Sequence, residues 1–288
     1  MLQKKISNYL SLVTFSHTIF AMPFALIGYF LAVKFGKGSF SWSTMGLVIL
    51  CMVFARNAAM AFNRFADRYI DSLNPRTAFR EIPSGIIKPG SALIFTIINS
   101  LLFISATWFI NQLTFHLSPV ALFIILGYSL TKRFTYFCHF ILGLGLSLAP
   151  IGAYLAVSGN FFWLPLLYSG IVLLWVSGFD IIYALQDDDF DKKQSLLSIP
   201  SRFGRKNAII LSSVLHTFSA ILVLITGLVS SVGILYWIGS VIFIGLLIYQ
   251  HLLVKPNDLS RVNFAFATMN GIASVIFAGF VVTDILIR

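Results

Sequence analysis

The sequence predicts an all-α integral membrane protein of about nine transmembrane helices, and three observations carry that expectation. Hydrophobic residues make up 58% of the 288-residue chain and charged residues only 10%. Mean hydropathy is +0.90, far outside the range of soluble globular domains, so lipid must solvate most of the surface. Apolar runs of roughly 20 residues, enough to cross a hydrocarbon core about 30 Å thick, recur along the whole length. A single membrane domain over residues 1–288 is the natural organisation.

Apolar runs between charged or turn-rich breaks place helices at residues 14 to 34, 43 to 63, 91 to 110, 117 to 131, 136 to 157, 162 to 186, 208 to 228, 231 to 252 and 264 to 286. The first run follows Lys4 and Lys5 and continues past Pro23 without a small-residue cleavage site. Further spans succeed it, so it is expected to persist in the mature protein instead of acting as a signal peptide. Cys51 and Cys138 sit inside apolar runs with no CxxC or His spacing beside them. They read as small packing residues.

With the segment before the first helix inside, the connections at 64 to 90, 132 to 135, 187 to 207 and 253 to 263 also lie inside. Sixteen basic residues then fall on that side, against Lys34, Lys37 and Arg288 on the other. The asymmetry predicts a cytoplasmic N-terminus and an outside C-terminus, and a bacterial-type inner membrane is the expected location. The net charge of +10 is accounted for by topology and contact with membrane lipid, with no nucleic-acid partner, and basic cytoplasmic loops also suit an anionic substrate.

Eight of the ten acidic residues form two clusters: Asp67, Asp71 and Glu81 after the second span, and Asp180, Asp187, Asp188, Asp189 and Asp191 at the end of the sixth. Both close even-numbered spans, so both belong to the cytoplasmic face. Asn63, Asp67 and Asp71 follow an i, i+4, i+8 spacing that keeps them on one face if the helix runs on past the membrane. Asp187 and Asp191 are i, i+4, with Asp180 about two turns earlier and Tyr183 beside the stripe. Asp188 and Asp189 point away from the stripe and are expected to be solvated or to support it from behind.

Like charges at i, i+4 destabilise a helix unless a cation neutralises them. Carboxylates with an Asn oxygen are hard ligands suited to Mg²⁺, which takes one or two carboxylates and completes its octahedron with water and phosphate oxygens. Two facing stripes can hold two or more ions around one pyrophosphate. Helix capping explains these acids poorly, because they sit at C-terminal ends, where the dipole opposes them.

A basic, turn-rich segment follows each cluster: residues 74 to 85, with Arg76 and Arg80, and residues 192 to 204, with Lys193 and Arg202. Arg76, Arg80, Lys193 and Arg202 are candidates for phosphate contacts, since Arg forks match phosphate geometry. Anchoring to lipid headgroups is the alternative. Arg56 lies seven residues before Asn63 inside an apolar span, where an ionisable side chain is costly unless it faces an interior partner. Lys132, four residues after Tyr128, can reach the same region or snorkel to headgroups.

Asn63-x₃-Asp67-x₃-Asp71 with Pro75-Arg76-Thr77 and Arg80, together with Asp180-x₂-Tyr183-Ala184-x₂-Asp187-x₃-Asp191, resembles the UbiA superfamily of intramembrane prenyltransferases. Residues 16 to 23 also resemble the first helix of that family. The resemblance implies a helical bundle around a central cavity, Mg²⁺ dependence and a polyprenyl pyrophosphate donor. It implies Asp67, Asp71, Asp187 and Asp191 as Mg²⁺ ligands assisted by Asn63, Arg56 and Lys132 at the pyrophosphate, and Asp180 and Tyr128 near the reacting carbon.

Residues 178 to 187 resemble most the branch that prenylates 4-hydroxybenzoate for ubiquinone or a hydroxynaphthoate for menaquinone. A small aromatic acid is then the acceptor. Other acceptors (haem, homogentisate or a lipid) and a cation or metabolite transporter are the alternatives. Arg64, where many members carry Asp, and Ser195 and Leu197, where many carry Gly and Lys, are departures.

Overall fold

The computed structural model describes residues 2–13, 20–36 and 38–288. Its elements run α1 (Leu2–Leu12), α2 (Met22–Phe35), α3 (Trp42–Ala66), α4 (Arg68–Leu73), α5 (Pro89–Trp108), α6 (Gln112–Thr131), α7 (Cys138–Ser158) and α8 (Trp163–Ala184). A 3₁₀ turn (Leu185–Asp187) then leads to α9 (Asp188–Lys193), α10 (Ile199–Val229), α11 (Ile234–Leu253), a π turn (Phe264–Met269) and α12 (Asn270–Ile287). No strand occurs among the described residues.

Eight helices among the described residues are long and apolar enough to cross a membrane, and the shorter apolar α2 makes a ninth candidate. The expected first span is described only from Phe20 onward; residues 14–19 lie outside the described residues. Pro23 in the first turn of α2 fits a helix start, where its missing N–H costs nothing. α1 was not anticipated: Leu12 packs into a small apolar cluster with Ala61, Ile82, Ile87 and Ala92.

The sixth and seventh spans also differ from expectation. α10 starts at Ile199, not near 208, because Ser198 and Ser201 form a capping box and Pro200 occupies the first turn. A non-helical residue, Gly204 at φ +78°, kinks it, and the kink joins an interfacial segment to the apolar run predicted from 208. α8 does not run on through the acidic stripe. It ends at Ala184, and the 3₁₀ turn and α9 re-aim the chain.

Two packing regimes divide the bundle. Around α2, α8, α11 and α12 the core is aromatic, with Phe24, Trp175, Phe179, Phe243 and Phe277 all buried in one cluster. The Trp175 indole N–H donates to Asn270 Oδ1 at 2.9 Å, which satisfies a polar group that lipid cannot. Elsewhere small residues let backbones meet. A Cβ on Gly28 of α2 would lie 2.0 Å from the Pro150 carbonyl oxygen of α7, and one on Gly143 of α7 would lie 2.6 Å from the Leu173 oxygen of α8. Such contacts replace the hydrophobic drive that is missing between helices in lipid. α7 is thereby clamped between α2 and α8, and its opposite side faces α3 and α6 across a cavity.

Gly28→Ala is expected to destabilise the detergent-solubilised protein by about 1–3 kcal/mol, since backbone atoms must separate. Gly279→Ala, where nothing lies within 4 Å of the new carbon, is expected to be neutral. Paired thermal-unfolding curves check the contrast.

Candidate active site

The last turn of α3 presents Asn63, whose carbonyl accepts from the Asp67 N–H at 2.9 Å, so Asp67 caps the helix and the chain restarts as α4. Asn63 Nδ2 donates to Asp67 Oδ2 at 3.2 Å, which keeps the expected i, i+4 pairing although the helix does not continue unbroken. Asp71, only 5% exposed, accepts from Arg80 Nη1 at 2.7 Å through Oδ1. Its Oδ2 is buried without a partner.

The second cluster lies against the first. Arg76 reaches from the 74–85 segment to Asp187, with Nε donating to Oδ1 at 2.8 Å and Nη2 to Oδ2. Asn74 Nδ2 donates to the same Oδ1 at 3.0 Å, and Arg76 Nη1 to the Tyr183 hydroxyl at 2.9 Å. The α6–α7 connection closes the other side: Lys132 Nζ lies 3.3 Å from Asp191 Oδ2, and Arg133 Nη2 lies 3.3 Å from Asp67 Oδ1. Ser198, the α10 cap, donates to Asp191 Oδ2 at 2.9 Å. Both acidic clusters therefore share one end of the bundle, and each of the four carboxylates has a basic partner.

These partners set the charge states at the bundle end. Burial and the neighbouring Asp71 outweigh Arg133 and Lys132, so the Asp67 carboxyl titrates above its ordinary range. Burial works against the cationic forms of Lys132 and Arg76, but Asp191 for the first and Asp187 for the second outweigh it and keep both above their ordinary values.

Below this end opens a cavity of about 1170 Å³, larger than pockets that hold drug-sized ligands. Arg56, Asn63, Arg64, Arg76, Arg80, Tyr128, Asp180 and Tyr183 line its head. Its apolar walls descend past Met52, Phe103 and Leu117 to Ile110 and Leu155, at the far ends of α5 and α7. Ile86 and Val120 line it and are each 56% exposed. The π turn contributes Phe266, whose ring lies 4.1 Å from that of Tyr183.

The sequence pattern of the UbiA prenyltransferase family matches residues 21–272. The chain belongs to that family. It is 31% identical to the 4-hydroxybenzoate octaprenyltransferase of Vesicomyosocius okutanii over 237 residues, covering 82% of this chain and 86% of the relative. For the enzyme of that name from Nitrosospira multiformis the identity is 32% over 242 residues, 84% and 83% of the two chains. A UbiA homolog from Aeropyrum pernix K1 superposes with a TM-score of 0.84 at 30% identity, covering 93% of this chain and 98% of that one. A homolog from Archaeoglobus fulgidus bound to DMAPP and Mg²⁺ shares the fold, with a TM-score of 0.77, 21% identity and coverage of 98% and 100%.

Within this UbiA bundle the structure brings together most of the residues named from sequence. Arg56, Asn63, Tyr128, Asp180, Arg76 and Arg80 line the cavity, while Asp67, Asp71, Asp187, Asp191 and Lys132 form the charged layer above it. Lys193 and Arg202 do not line the cavity. Both are exposed, and Arg202 lies over the Tyr136 ring at 6.0 Å, because the 3₁₀ turn and α9 carry this segment away from the head.

Asp188 takes the second of the two places expected for it, behind the stripe. It is 3% exposed, not solvated, and Arg205 grips it with two bonds of 2.8 and 2.9 Å. Asp189 is exposed as expected, at 72% of its side chain. Sequence reasoning missed Asn74 and Arg133 as partners of the acids, and Arg64 as a cavity residue.

Among the described residues no three His, Cys, Asp or Glu side chains converge as a ready metal cage. Mg²⁺ needs only one or two carboxylates when phosphate and water complete its shell, and the buried, unpartnered Asp71 Oδ2 is a donor of the right kind. A divalent ion requires deprotonated carboxylates. Because Asp67 protonates before an ordinary carboxylate as pH falls, Mn²⁺ affinity measured by electron paramagnetic resonance should weaken just above the ordinary carboxylate range. Asp67→Asn should bind Mn²⁺ more weakly at neutral pH and lose part of that steepness, the rest coming from Asp191, which burial also raises; unchanged affinity and pH profile would exclude Asp67.

Proposed function

We propose that this UbiA-family prenyltransferase transfers a polyprenyl group from polyprenyl pyrophosphate to a small aromatic acid, 4-hydroxybenzoate or a hydroxynaphthoate, in ubiquinone or menaquinone biosynthesis. One observation carries the reading. A cationic, carboxylate-rich head sits directly on a long apolar cavity, which matches a substrate with a diphosphate head and an isoprenoid tail. The relatives named 4-hydroxybenzoate octaprenyltransferase support an aromatic acid as acceptor. The Archaeoglobus homolog with DMAPP and Mg²⁺ supports the donor class and the metal.

In this reading residues 1–288 form one domain, with the charged layer at the cytoplasmic face of a bacterial-type inner membrane. Asn63, Asp67, Asp71, Asp187 and Asp191 would hold Mg²⁺, which would neutralise the diphosphate leaving group. Arg76 and Arg80 touch both the carboxylates and the cavity, and their remaining N–H groups would serve phosphate oxygens. Arg56 and Lys132 add fixed positive charge where negative charge collects as the allylic C–O bond breaks. Tyr128 and Asp180 would flank the reacting carbon, with Asp180 orienting the acceptor or taking its ring proton. The apolar walls exclude water from the allylic cation.

Transport fits less well. Transport sites usually lie near the bilayer midplane, whereas these carboxylates form a layer at one end of the bundle.

Asp67→Ala and Asp187→Ala should each lower Mg²⁺-dependent prenyl transfer at least about 100-fold, as for loss of a major electrostatic contact, with membrane insertion unchanged. Wild-type membranes given labelled polyprenyl pyrophosphate and a panel of aromatic acids provide the reference, and normal turnover in either variant would remove that residue from the site.

A further inference from the structure

Behind Asp180 the bundle seats a histidine that the charged layer does not use. His139, in the first turn of α7, is 0% exposed. Its Nδ1 lies 2.6 Å from Asp180 Oδ2, and its Nε2 lies 3.3 Å from the Ile199 backbone nitrogen at the start of α10. A backbone N–H only donates, so Nε2 must accept. With Nε2 accepting, Nδ1 carries the proton that points at Asp180, and Asp180 Oδ2 accepts it.

The same geometry excludes a proton relay. His139 is closed off from solvent, and Nε2 faces an amide that cannot take a proton onward. A proton captured by Asp180 can therefore leave only through the cavity that Asp180 lines. Oδ2 is engaged by His139, so Oδ1 is the oxygen left for a ligand.

The anchor is well tied. Ile199 follows Ser198, which caps α10 and donates to Asp191 Oδ2 at 2.9 Å, and the Leu197 N–H donates to the Lys132 carbonyl at 2.7 Å. One turn of chain thus supports both Asp191 and, through His139, Asp180.

We propose that His139 is a positioning residue for the acceptor half of the reaction, holding Asp180 as an oriented carboxylate toward the aromatic ring. The inference rests on the proposed transfer to an aromatic acid. In that step the bond between the allylic carbon and the diphosphate oxygen breaks, its electron pair leaving with the diphosphate. A ring carbon bonds to the allylic carbon, and the ring proton passes to Asp180 while its C–H electrons restore aromaticity. His139 keeps its own proton throughout.

The test compares His139→Leu, which fills the space without a donor, with His139→Asn, whose amide N–H stands close to the position of Nδ1. Prenyl transfer is measured with the aromatic acid and the polyprenyl pyrophosphate varied separately, alongside acceptor-free diphosphate release. His139→Leu should lose about 10- to 100-fold in kcat/KM for the acid, the scale of one misplaced proton acceptor. Its KM for the donor and its acceptor-free release should stay within about twofold, and His139→Asn should recover most of the loss. Should the leucine variant not fold, His139→Gln, whose longer amide reaches toward Ile199, takes its place with the same expected split.

Unchanged transfer in His139→Leu, or an equal loss in donor and acceptor parameters that Asn does not rescue, would overturn the positioning role alone. A wild-type protein that releases diphosphate yet prenylates no aromatic acid would overturn the acceptor assignment and this inference with it.

Discussion

The structure depends on gathering eight charges of two signs into one thin layer at the end of an otherwise apolar bundle. Carboxylates at this depth are tolerable only when paired, and here the pairs are made across chain segments. Arg76 from the α4–α5 connection holds Asp187 after α8, and Lys132 and Arg133 from the α6–α7 turn hold Asp191 and Asp67. Three connections distant in sequence are thereby fixed to one another. Buried or half-buried ion pairs add little net stability, because desolvation offsets their attraction. What they provide is a specific assembly of groups, the one on which the proposed diphosphate and metal site rests.

The apolar remainder serves that layer in two ways. On one side α2, α8, α11 and α12 form a dense aromatic core that gives the end of α8 a rigid base. On the other side α3, α5, α6 and α7 stand around an open cavity. Close backbone contacts at Gly28 and Gly143 hold α7 against the rigid half, so the cavity is walled by a helix that cannot collapse into it. The proposed isoprenoid tail needs such a space, apolar and deep. The polar head of the same space carries Asp180, Tyr128 and Arg56, so polar groups and apolar walls share one volume.

Much of this was legible in the chain. Spans follow from apolar runs, and the asymmetry of basic residues put both acidic clusters on one face before any contact was known. The i, i+4 spacing of Asn63 and Asp67 survives in their hydrogen bond. Less visible was how the helices end. Asp67 is the N-cap of α4 and Asp187 of α9, and Asp71, Asp188, Asp189 and Asp191 fall in the first turns of those short helices, where the dipole favours acids instead of opposing them. Those breaks moved Lys193 and Arg202 away from the head and turned Asp188 inward to Arg205. His139 carried no signal at all, since a lone histidine in an apolar run gains meaning only from the Asp180 and Ile199 atoms brought beside it.

The central claim is that the two acidic clusters act as one receptor for a metal-bound diphosphate. A structure of the protein with Mn²⁺ and a non-cleavable thiodiphosphate analogue of the prenyl donor, with manganese located by anomalous scattering, tests it most directly. Manganese between Asp67 and Asp71 on one side and Asp187 and Asp191 on the other, with Arg76 and Arg80 on the phosphate oxygens, is the expected result. An analogue bound elsewhere, or bound in the cavity with the four carboxylates making no contact to metal, would contradict the account.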